Sequence, residues 1–346
     1  MNIAIFTHNY PKNKADRKDA GIFIHDFAQV LKKEHSVFIF CPDYGNNEKF
    51  GNWSLYNPIN IFKFFKSIFY GVKESLKFVK KNKIDYVLSA WAIPSGIYAF
   101  FIYIRYKIPY GIWFLGSDLN IYSKLPILSL IIKIIATRAN NLFANSFALT
   151  KIAKAKYGKC IMLPASTKVS KIWMTNSKFK LNNQKINILF VGRLEKIKGL
   201  DILIALFKKL DQKYNLTIIG DGTLRNEYDK KNKNIIFLGY KGLKVIFEYM
   251  KKSDFLLIPS RNESLPLVIL EAANHKLPIL ASNVGDCKYI LNKYKIGEVF
   301  NVGNIDQIIK SVSTFNYELY RKCGRFDDLI VDYSLNNSVR IFLKAI

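Results

Sequence analysis

Short apolar runs alternate with longer segments of helical period along most of the chain. After a polar stretch near the middle, the same rhythm starts again. Continuous apolar strands joined by helical crossovers are typical of parallel sheets covered on both faces. The pattern predicts an α/β protein with two tandem, doubly wound, Rossmann-like domains. The predicted strands lie at 2–6, 36–40, 85–89, 110–114, 141–145, 160–163, 186–192, 216–220, 235–239, 255–259 and 278–282.

The polar stretch sets the predicted domain boundaries. We expect an N-terminal domain at 1–168, a linker at 169–184, a C-terminal domain at 185–330 and a final helix at 331–346 that packs back on the N-terminal domain. Ligands of doubly wound sheets bind at the carboxyl ends of the strands. The crevice between two facing domains is therefore the expected functional site.

Charge is the strongest feature of the composition. The 346 residues carry a net charge of +27. Such an excess fits an anionic membrane surface, nucleic acid or a phosphorylated ligand, and AT-rich coding alone would also enrich lysine. These alternatives stay open, although no helix-turn-helix, RRM or zinc-finger signature supports binding of nucleic acid.

The sequence has no features of an exported or membrane-spanning protein. Its four cysteines are far apart, its first residues lack the regions of a signal peptide, and no run of about twenty apolar residues is present. Lysines recur among bulky aromatic residues at 60–81, a segment that either buries its aromatics in the domain core or lies on an anionic membrane surface. We expect a cytoplasmic protein, either free or peripheral at the inner face of the plasma membrane.

Two cations follow the predicted strand at 186–192. Arg193 and Lys198 precede a helical segment, and a helix N-terminus adds its own partial charge to theirs. The pair is suited to a diphosphate. Read alone, the same two residues would also fit an exposed, solvated surface.

Two glutamates follow the predicted strand at 255–259. Glu263 lies in the loop and Glu271 about one turn into a helix that begins near Pro266. Carboxylates accept hydrogen bonds from sugar hydroxyls. Glu263 alone could be an ordinary surface residue, whereas Glu271 lies within the apolar segment VILEAA and needs a partner if it is buried.

Together these motifs resemble those of the retaining glycosyltransferases of family 4, which have the two-domain GT-B fold. The G-R-L-x-x-x-K-G phrase at 192–199, the IIGDG run at 218–222 and the E-x7-E spacing of Glu263 and Glu271 occur in the order and spacing of that family. The resemblance covers most of the chain. It implies two Rossmann-like domains that face a central cleft.

The resemblance also implies a function. The chain would move a hexose or N-acetylhexosamine from a UDP- or GDP-sugar to a glycan or a lipid-linked glycan, in the synthesis of lipopolysaccharide, capsule or exopolysaccharide. No cofactor or metal ion would be required, and no D-x-D motif is present. Its predicted catalytic residues are Arg193, Lys198, Glu263 and Asp118, and its predicted donor-binding residues are Gly21, Gly192, Ser264, Leu265, Pro266, Leu267 and Glu271.

The N-terminal half matches the family less closely. Gly21, in the loop after the first strand, would allow close approach of the donor phosphates. The GSDLN run at 116–120 resembles the H-G-x-D segment of the family, with Asp118 at its acidic position and Leu115 in place of the histidine. This departure puts an acid/base role of the segment in doubt, and the four histidines fall in no metal-binding spacing.

Other functions fit the sequence less well. A glycosidase has no use for a basic diphosphate site, and a dehydrogenase would need G-x-G-x-x-G after its first strand. A nucleotide-sugar epimerase of similar fold is the nearest alternative, and a basic nucleic-acid-binding protein is the other.

Overall fold

The computed structural model describes residues 1–11, 21–43, 58–166, 185–228 and 233–346, with the backbone alone at 58–61. The chain divides into two compact units, residues 1–168 with 335–346 and residues 169–334. Each unit is built on a six-stranded sheet. The predicted linker at 169–184 lies outside the described residues.

The sheet of the first unit has the strand order β2–β1–β3–β4–β5–β6, and every pair of neighbours is parallel. Its central strands β3 and β4 are buried at all five positions, as expected for strands that helices cover on both faces. The strands are β1 Asn2–Phe6, β2 Ser36–Phe40, β3 Tyr86–Ala90, β4 Tyr110–Phe114, β5 Asn141–Ala144 and β6 Ile161–Met162.

Helices cover the two faces of this sheet in separate groups. Leu142 and Ala144 of β5 pack with α2, α3, α5 and α6 in one apolar core. Phe143, between them, faces the other side because neighbouring strand residues alternate, and its ring contacts Phe342 of α15. The helices are α1 Ile22–Leu31, α2 Pro58–Asn82, α3 Ile97–Tyr106, α4 Ser117–Asn120, α5 Pro126–Arg138, α6 Phe147–Tyr157 and α15 Leu335–Ala345.

The C-terminal helix α15 packs on this first unit, beside α1. The ring of Phe342 lies 5.7 Å from that of Phe27, and the carbonyl of Ala345 accepts a 2.8 Å hydrogen bond from the side chain of Asn141. The hydroxyl of Ser338 donates to the carbonyl of Pro164 at 3.0 Å. The chain therefore ends on the unit in which it began.

The sheet of the second unit has the order β12–β11–β10–β7–β8–β9 and is also parallel. Its strands are β7 Ile186–Val191, β8 Tyr214–Ile219, β9 Ile235–Gly239, β10 Phe255–Ile258, β11 Ile279–Ser282 and β12 Gly297–Phe300. Its helices are α7 Leu200–Lys209, α8 Arg225–Tyr228, α9 Leu243–Lys252, α10 Leu267–Ala273, α11 Cys287–Tyr294, α12 Ile305–Thr314, α13 Tyr317–Cys323 and α14 Phe326–Asp332.

The predicted α/β class with two doubly wound sheets is confirmed, and all eleven predicted strands occur within two residues of their predicted bounds. The sequence pattern missed β12. This strand lies at the edge of the sheet and contains Gly297 and Glu298, so it has no continuous apolar run. The carboxylate of Glu298 instead accepts a 2.8 Å hydrogen bond from the hydroxyl of Tyr320.

Candidate functional site

The loops that follow β7 and β10 are neighbours because these two strands pair directly. The backbone N–H of Arg261 donates to the carbonyl of Ile197 at 2.8 Å and joins the loops. Gly199 lies at their closest approach, where a Cβ atom would be 2.0 Å from the carbonyl oxygen of Pro259. Its φ of +75° also favours glycine. The glycine of the G-R-L-x-x-x-K-G phrase is thus required by the packing of one loop on the other.

This packing brings Lys198 and Glu263 together. The Lys198 ammonium donates to Oε1 of Glu263 at 2.6 Å, and the Glu263 side chain is only 10% exposed. The hydroxyl of Ser260 donates to the same oxygen at 2.7 Å. The carbonyl of Ser260 in turn accepts a 2.5 Å hydrogen bond from the buried hydroxyl of Ser282. A chain of hydrogen bonds therefore fixes the carboxylate beside a cation.

Arg193 is held differently. Its guanidinium donates to the carboxylate of Glu195 at 2.9 Å, and 66% of the side chain is exposed. The two predicted cations thus differ in environment, since Lys198 is paired in a protected position and Arg193 extends into solvent. Arg193 can reach an anionic ligand by exchanging Glu195 for it, at little cost because exposed ion pairs are weak.

Gly192 and the IIGDG run fit closely to each other. A Cβ atom at Gly220 would lie 1.8 Å from the carbonyl oxygen of Gly192, and one at Gly222 would lie 2.6 Å from that of Leu194. The N–H of Leu194 donates to the carbonyl of Asp221 at 2.9 Å. The glycines of the second motif thus position the loop that carries Arg193.

The segment from Ser264 to Leu267 leads into α10, with Pro266 as its N-cap residue. Leu265 and Pro266 are buried, whereas Ser264 and Leu267 are partly exposed. A Cβ atom at Gly285 would lie 2.6 Å from the carbonyl oxygen of Ser264, which also accepts a hydrogen bond from the N–H of Asp286. The backbone of the predicted phosphate-binding segment is therefore held from behind by the turn before α11.

Glu271 is the fifth residue of α10 and is partly buried. Its neighbours Leu270 and Ala272 are buried in the unit. The predicted start of this helix near Pro266 is confirmed, and the two glutamates of the E-x7-E spacing lie on the loop and on the helix as expected.

Sequence reasoning missed two residues of this region, Ser260 and Arg261. Arg261 donates two hydrogen bonds to the carboxylate of Asp201, at 2.6 and 2.8 Å, and a third to the carbonyl of Lys196. The hydrogen bonds from Arg261 lower the pKa of Asp201. The only sequence signal was their position next to a strand end. The carboxylate that Arg261 contacts lies 60 residues away in the chain.

In the first unit, Gly21 is the N-cap residue of α1. A Cβ atom there would lie 2.2 Å from the carbonyl oxygen of Asn9. The close approach that requires glycine is thus one within its own loop. The predicted contact of Gly21 with donor phosphates stays a prediction.

Asp118 is completely buried in the first turn of α4. Its two carboxylate oxygens accept hydrogen bonds from the backbone N–H groups of Ala92, at 2.9 Å, and Leu115, at 3.1 Å. Burial raises the pKa of Asp118 to about 6, and these hydrogen bonds lower it in part. The Asp118 side chain thus joins the loops that follow β3 and β4. Its catalytic role stays a prediction.

His8 follows β1 and Asp118 follows β4, so both lie at the carboxyl-end edge of the first sheet. The ring of His8 is 4.5 Å from that of Trp91, which follows β3 with a left-handed φ of +68°. Burial lowers the pKa of His8 to about 4, so the ring is neutral near pH 7. Sequence reasoning found no role for this histidine, because its neighbour Trp91 is distant in the chain.

The described residues contain neither a metal-binding cluster nor a membrane-spanning helix. No three of their His, Cys, Asp and Glu side chains gather closely enough to hold a metal ion. None of their helices combines the length and the apolar character needed to cross a bilayer.

A known family model matches most of the second unit. Residues 172–324 match the family model described as glycosyl transferases group 1. An uncharacterized 41.2 kDa protein from the cps region of Klebsiella pneumoniae is 29% identical over 202 residues, which are 55% of this chain and 56% of that protein. The putative teichuronic acid biosynthesis glycosyltransferase TuaC of Bacillus subtilis is 24% identical over 267 residues, 73% of this chain and 67% of that protein. The chain thus spans little more than half of the first relative.

Solved structures of similar fold extend over the whole chain. Anabaena Alr3699/HepE in complex with UDP superposes with a TM-score of 0.71 at 12% identity and covers 99% of both chains. The lipopolysaccharide outer core galactosyltransferase WaaB superposes with a TM-score of 0.67 at 17% identity, covering 100% of this chain and 99% of the other. These likenesses establish the GT-B fold.

Proposed function

We propose that this protein is a retaining glycosyltransferase that moves a hexose or N-acetylhexosamine from a UDP- or GDP-sugar to a glycan. The pairing of Lys198 with Glu263 carries the proposal. It places a cation and a sheltered carboxylate together at the carboxyl ends of β7 and β10, inside the region that matches group 1 glycosyl transferases. The cation can bind a phosphate, and the carboxylate can accept a hydrogen bond from a sugar hydroxyl.

The predicted donor residues of the second unit each have a role in this reaction. Lys198 and Arg193 neutralise the charge that grows on the diphosphate as its bond to the sugar breaks. Glu263 accepts hydrogen bonds from the transferred sugar, and Glu271 from the ribose. The backbone N–H groups of Ser264, Leu265 and Leu267 donate to the phosphates, and Pro266, which has no N–H, begins the helix behind them. Gly192 borders the donor, and no metal ion is required because the two cations supply the positive charge.

The acceptor attacks on the face that the diphosphate leaves, so the configuration at the anomeric carbon is retained. The bond from that carbon to the phosphate oxygen breaks, and a bond to the acceptor oxygen forms. The leaving phosphate takes the proton of the acceptor hydroxyl. A protein base is then unnecessary, which agrees with Leu115 in the place of a histidine.

We further propose that the acceptor belongs to a bacterial surface polysaccharide. The names of similar proteins support this choice, since they include a cps-region protein, a teichuronic acid glycosyltransferase and a lipopolysaccharide galactosyltransferase. The acceptor is a growing glycan or its lipid-linked form, which the enzyme meets in the cytoplasm at the inner face of the membrane.

A donor screen tests the proposal. Thermal unfolding of the full chain is followed with UDP-glucose, UDP-galactose, UDP-N-acetylglucosamine and GDP-mannose, because a ligand at about 100 times its Kd stabilises the folded state by about 2.7 kcal/mol. At least one donor should raise the Tm, and Arg193→Ala and Glu271→Ala should reduce that rise. The exposed Lys196→Ala is the matched control. The absence of a shift with every donor would exclude the assignment.

Further measurements separate the alternatives. The nucleotide sugar that raises the Tm is incubated with the protein in the absence of acceptor. An epimerase would convert it to its epimer, whereas a transferase would not. NMR of the product reports the anomeric configuration, and a chelator should leave the rate unchanged. Salt-dependent retention on DNA would favour a nucleic-acid-binding protein instead.

A further inference from the structure

Apolar side chains are exposed on three helices that cover the same face of the first sheet. Ten of the eighteen large hydrophobic side chains that are exposed in the described part of the chain lie on α2, α3 and α5. Phe62, Phe69 and Ile127 are 72%, 74% and 71% exposed. We call this set the three-helix surface: Phe62, Phe65, Phe69, Tyr70, Phe101, Ile104, Tyr106, Ile127, Leu130 and Ile134.

In two of these helices the exposed apolar side chains form a stripe along one side, separate from the side that packs in the core. In α2 and α5 the exposed positions follow helical spacing, at 62, 65 and 69 and at 127, 130 and 134. The opposite sides of the same helices bury Phe64 and Ile132 against the sheet. The helices are therefore apolar on two sides, and the described residues of the first unit bury only one of them.

The three helices are packed side by side. α3 contacts both α2 and α5. The crossing of α2 and α3 is tight, since a Cβ atom at Gly71 would lie 2.3 Å from the ring of Tyr98. The stripes are thus carried by one packed layer of helices.

The same layer is strongly basic. Within the bounds of α2, α3 and α5 the sequence has nine lysines and arginines and a single acidic residue, Glu74. Glu74 is paired with Lys77 at 2.8 Å. Lys63, Lys66 and Lys133 are exposed beside the apolar stripes. A partner of this surface must therefore accept both apolar side chains and many positive charges.

We propose that the three-helix surface docks the protein on an anionic lipid bilayer. Aromatic and aliphatic side chains enter the boundary between headgroups and acyl chains, and the lysines contact the headgroups. Docking would bring the enzyme to a lipid-linked acceptor, and this role of the surface rests on the proposed function. The docking itself follows from charge and exposure alone.

Two other occupants fit less well. A second copy of the chain would bring nine basic residues against nine in a symmetric contact, and like charges repel. Nucleic acid would accept the lysines and stack on phenylalanine, but Ile127, Leu130 and Ile134 offer no flat ring for a base.

Sedimentation of the full chain with vesicles tests the proposal. The protein should pellet with vesicles of phosphatidylcholine mixed with phosphatidylglycerol and stay in solution with phosphatidylcholine alone. The triple variants Phe62→Ser/Phe65→Ser/Phe69→Ser and Ile127→Ser/Leu130→Ser/Ile134→Ser should each weaken binding by about tenfold or more. Lys63→Glu/Lys66→Glu/Lys133→Glu should do the same, with the larger effect at low salt.

Matched controls lie on the second unit. Ile236→Ser/Leu319→Ser/Val331→Ser removes three exposed apolar side chains, and Lys244→Glu/Lys288→Glu/Lys310→Glu reverses three exposed charges. Both control variants should bind vesicles as the unaltered protein does. Equal losses of vesicle binding in the test and control variants would overturn the proposal. Unchanged vesicle binding by the Ile127→Ser/Leu130→Ser/Ile134→Ser variant would also overturn it.

The outcomes also separate docking from catalysis. A protein that gives donor-induced thermal shifts but does not pellet with anionic vesicles would refute docking and leave the proposed function standing. A protein that pellets with anionic vesicles but gives no thermal shift with any donor would support docking and refute the proposed function. A dimer in sedimentation velocity that the phenylalanine variant dissociates would assign the surface to a second copy and refute the lipid proposal.

Discussion

The ammonium of Lys198 lies 2.6 Å from the carboxylate of Glu263, although 65 residues separate the two in the chain. The pairing exists because β7 and β10 are neighbours in the sheet and their loops share a hydrogen bond between Arg261 and Ile197. A bound donor would meet a lysine whose position is already fixed, so little reorganisation is needed when charge develops on the phosphate.

Lys198→Ala should lower kcat for sugar transfer by about 10²- to 10³-fold, since a preorganised charge at the leaving group is lost. The measurement is the initial rate with the donor that raises the Tm. Lys196→Ala, two residues away and exposed, is the matched control and should keep its rate. Equal rates for the two variants would contradict the assignment of Lys198.

Ser260→Ala should lower kcat while donor binding persists, because Ser260 holds the oxygen of Glu263 that Lys198 contacts. The loss of one buried hydrogen bond should also cost about 1 kcal/mol of stability. Ser253→Ala is the control, since that hydroxyl is buried and donates at 2.8 Å to the carbonyl of Tyr249, away from the site. Both variants should lose similar stability in urea, and only Ser260→Ala should lose activity.

Gly199→Ala should destabilise the second unit and abolish donor binding. The new Cβ atom would lie 2.0 Å from the carbonyl oxygen of Pro259, so the two loops must separate. Gly158→Ala provides the comparison, because Gly158 also has a positive φ, of +88°, but no atom within 4 Å of the new Cβ. The control should cost only the strain of an alanine at this positive φ, about 1–3 kcal/mol. Similar Tm losses in the two variants would mean that the loops are not held as described.

Much of this site follows from the sequence, and the remainder depends on distant contacts. Lys198 and Glu263 could be predicted because each follows an apolar run that is visibly a strand. The sequence does not show that β7 and β10 are neighbours in the sheet. The hydrogen bond between Lys198 and Glu263 therefore could not be predicted from it. Ser260 and Arg261 gave no signal because serine and arginine are common near strand ends, and only their partners give them a role.

The same distinction applies to the fold. Strands buried on both faces were visible as apolar runs, whereas β12, with a glycine and a glutamate at the sheet edge, was not. The complete burial of Asp118 also had no sequence signal, since aspartates are mostly exposed. It arises because the loops after β3 and β4 close over the carboxylate and supply their N–H groups.

Asp118 should make stability fall as pH rises from about 4 to about 6. Burial raises its pKa to about 6 in the folded state, whereas the unfolded value is about 3.9. In this window the folded protein holds a proton that the unfolded chain has released, so each rise in pH favours unfolding until both forms are ionised.

The test compares the protein with Asp118→Asn. The difference in free energy of unfolding, unaltered protein minus variant, should fall by on the order of 3 kcal/mol between pH 4 and pH 7 and then level off. His8 and His275 have the opposite effect over part of this range, because burial lowers the pKa of each to about 4. Their contribution cancels in the difference. A difference that rises with pH would contradict the buried, proton-holding carboxylate.

Phe342→Ala should cost about 3–5 kcal/mol of stability, because a completely buried ring is lost from between α15 and the first sheet. The ring of Phe342 contacts those of Phe27, Tyr86 and Phe143, all in the first unit. Hydrogen exchange should therefore rise in α1, β3 and β5 and stay unchanged in the strands of the second sheet. Phe62→Ala, at a 72% exposed position, should change stability by less than about 0.5 kcal/mol. Faster exchange in β7–β12 would show that α15 stabilises the second unit instead.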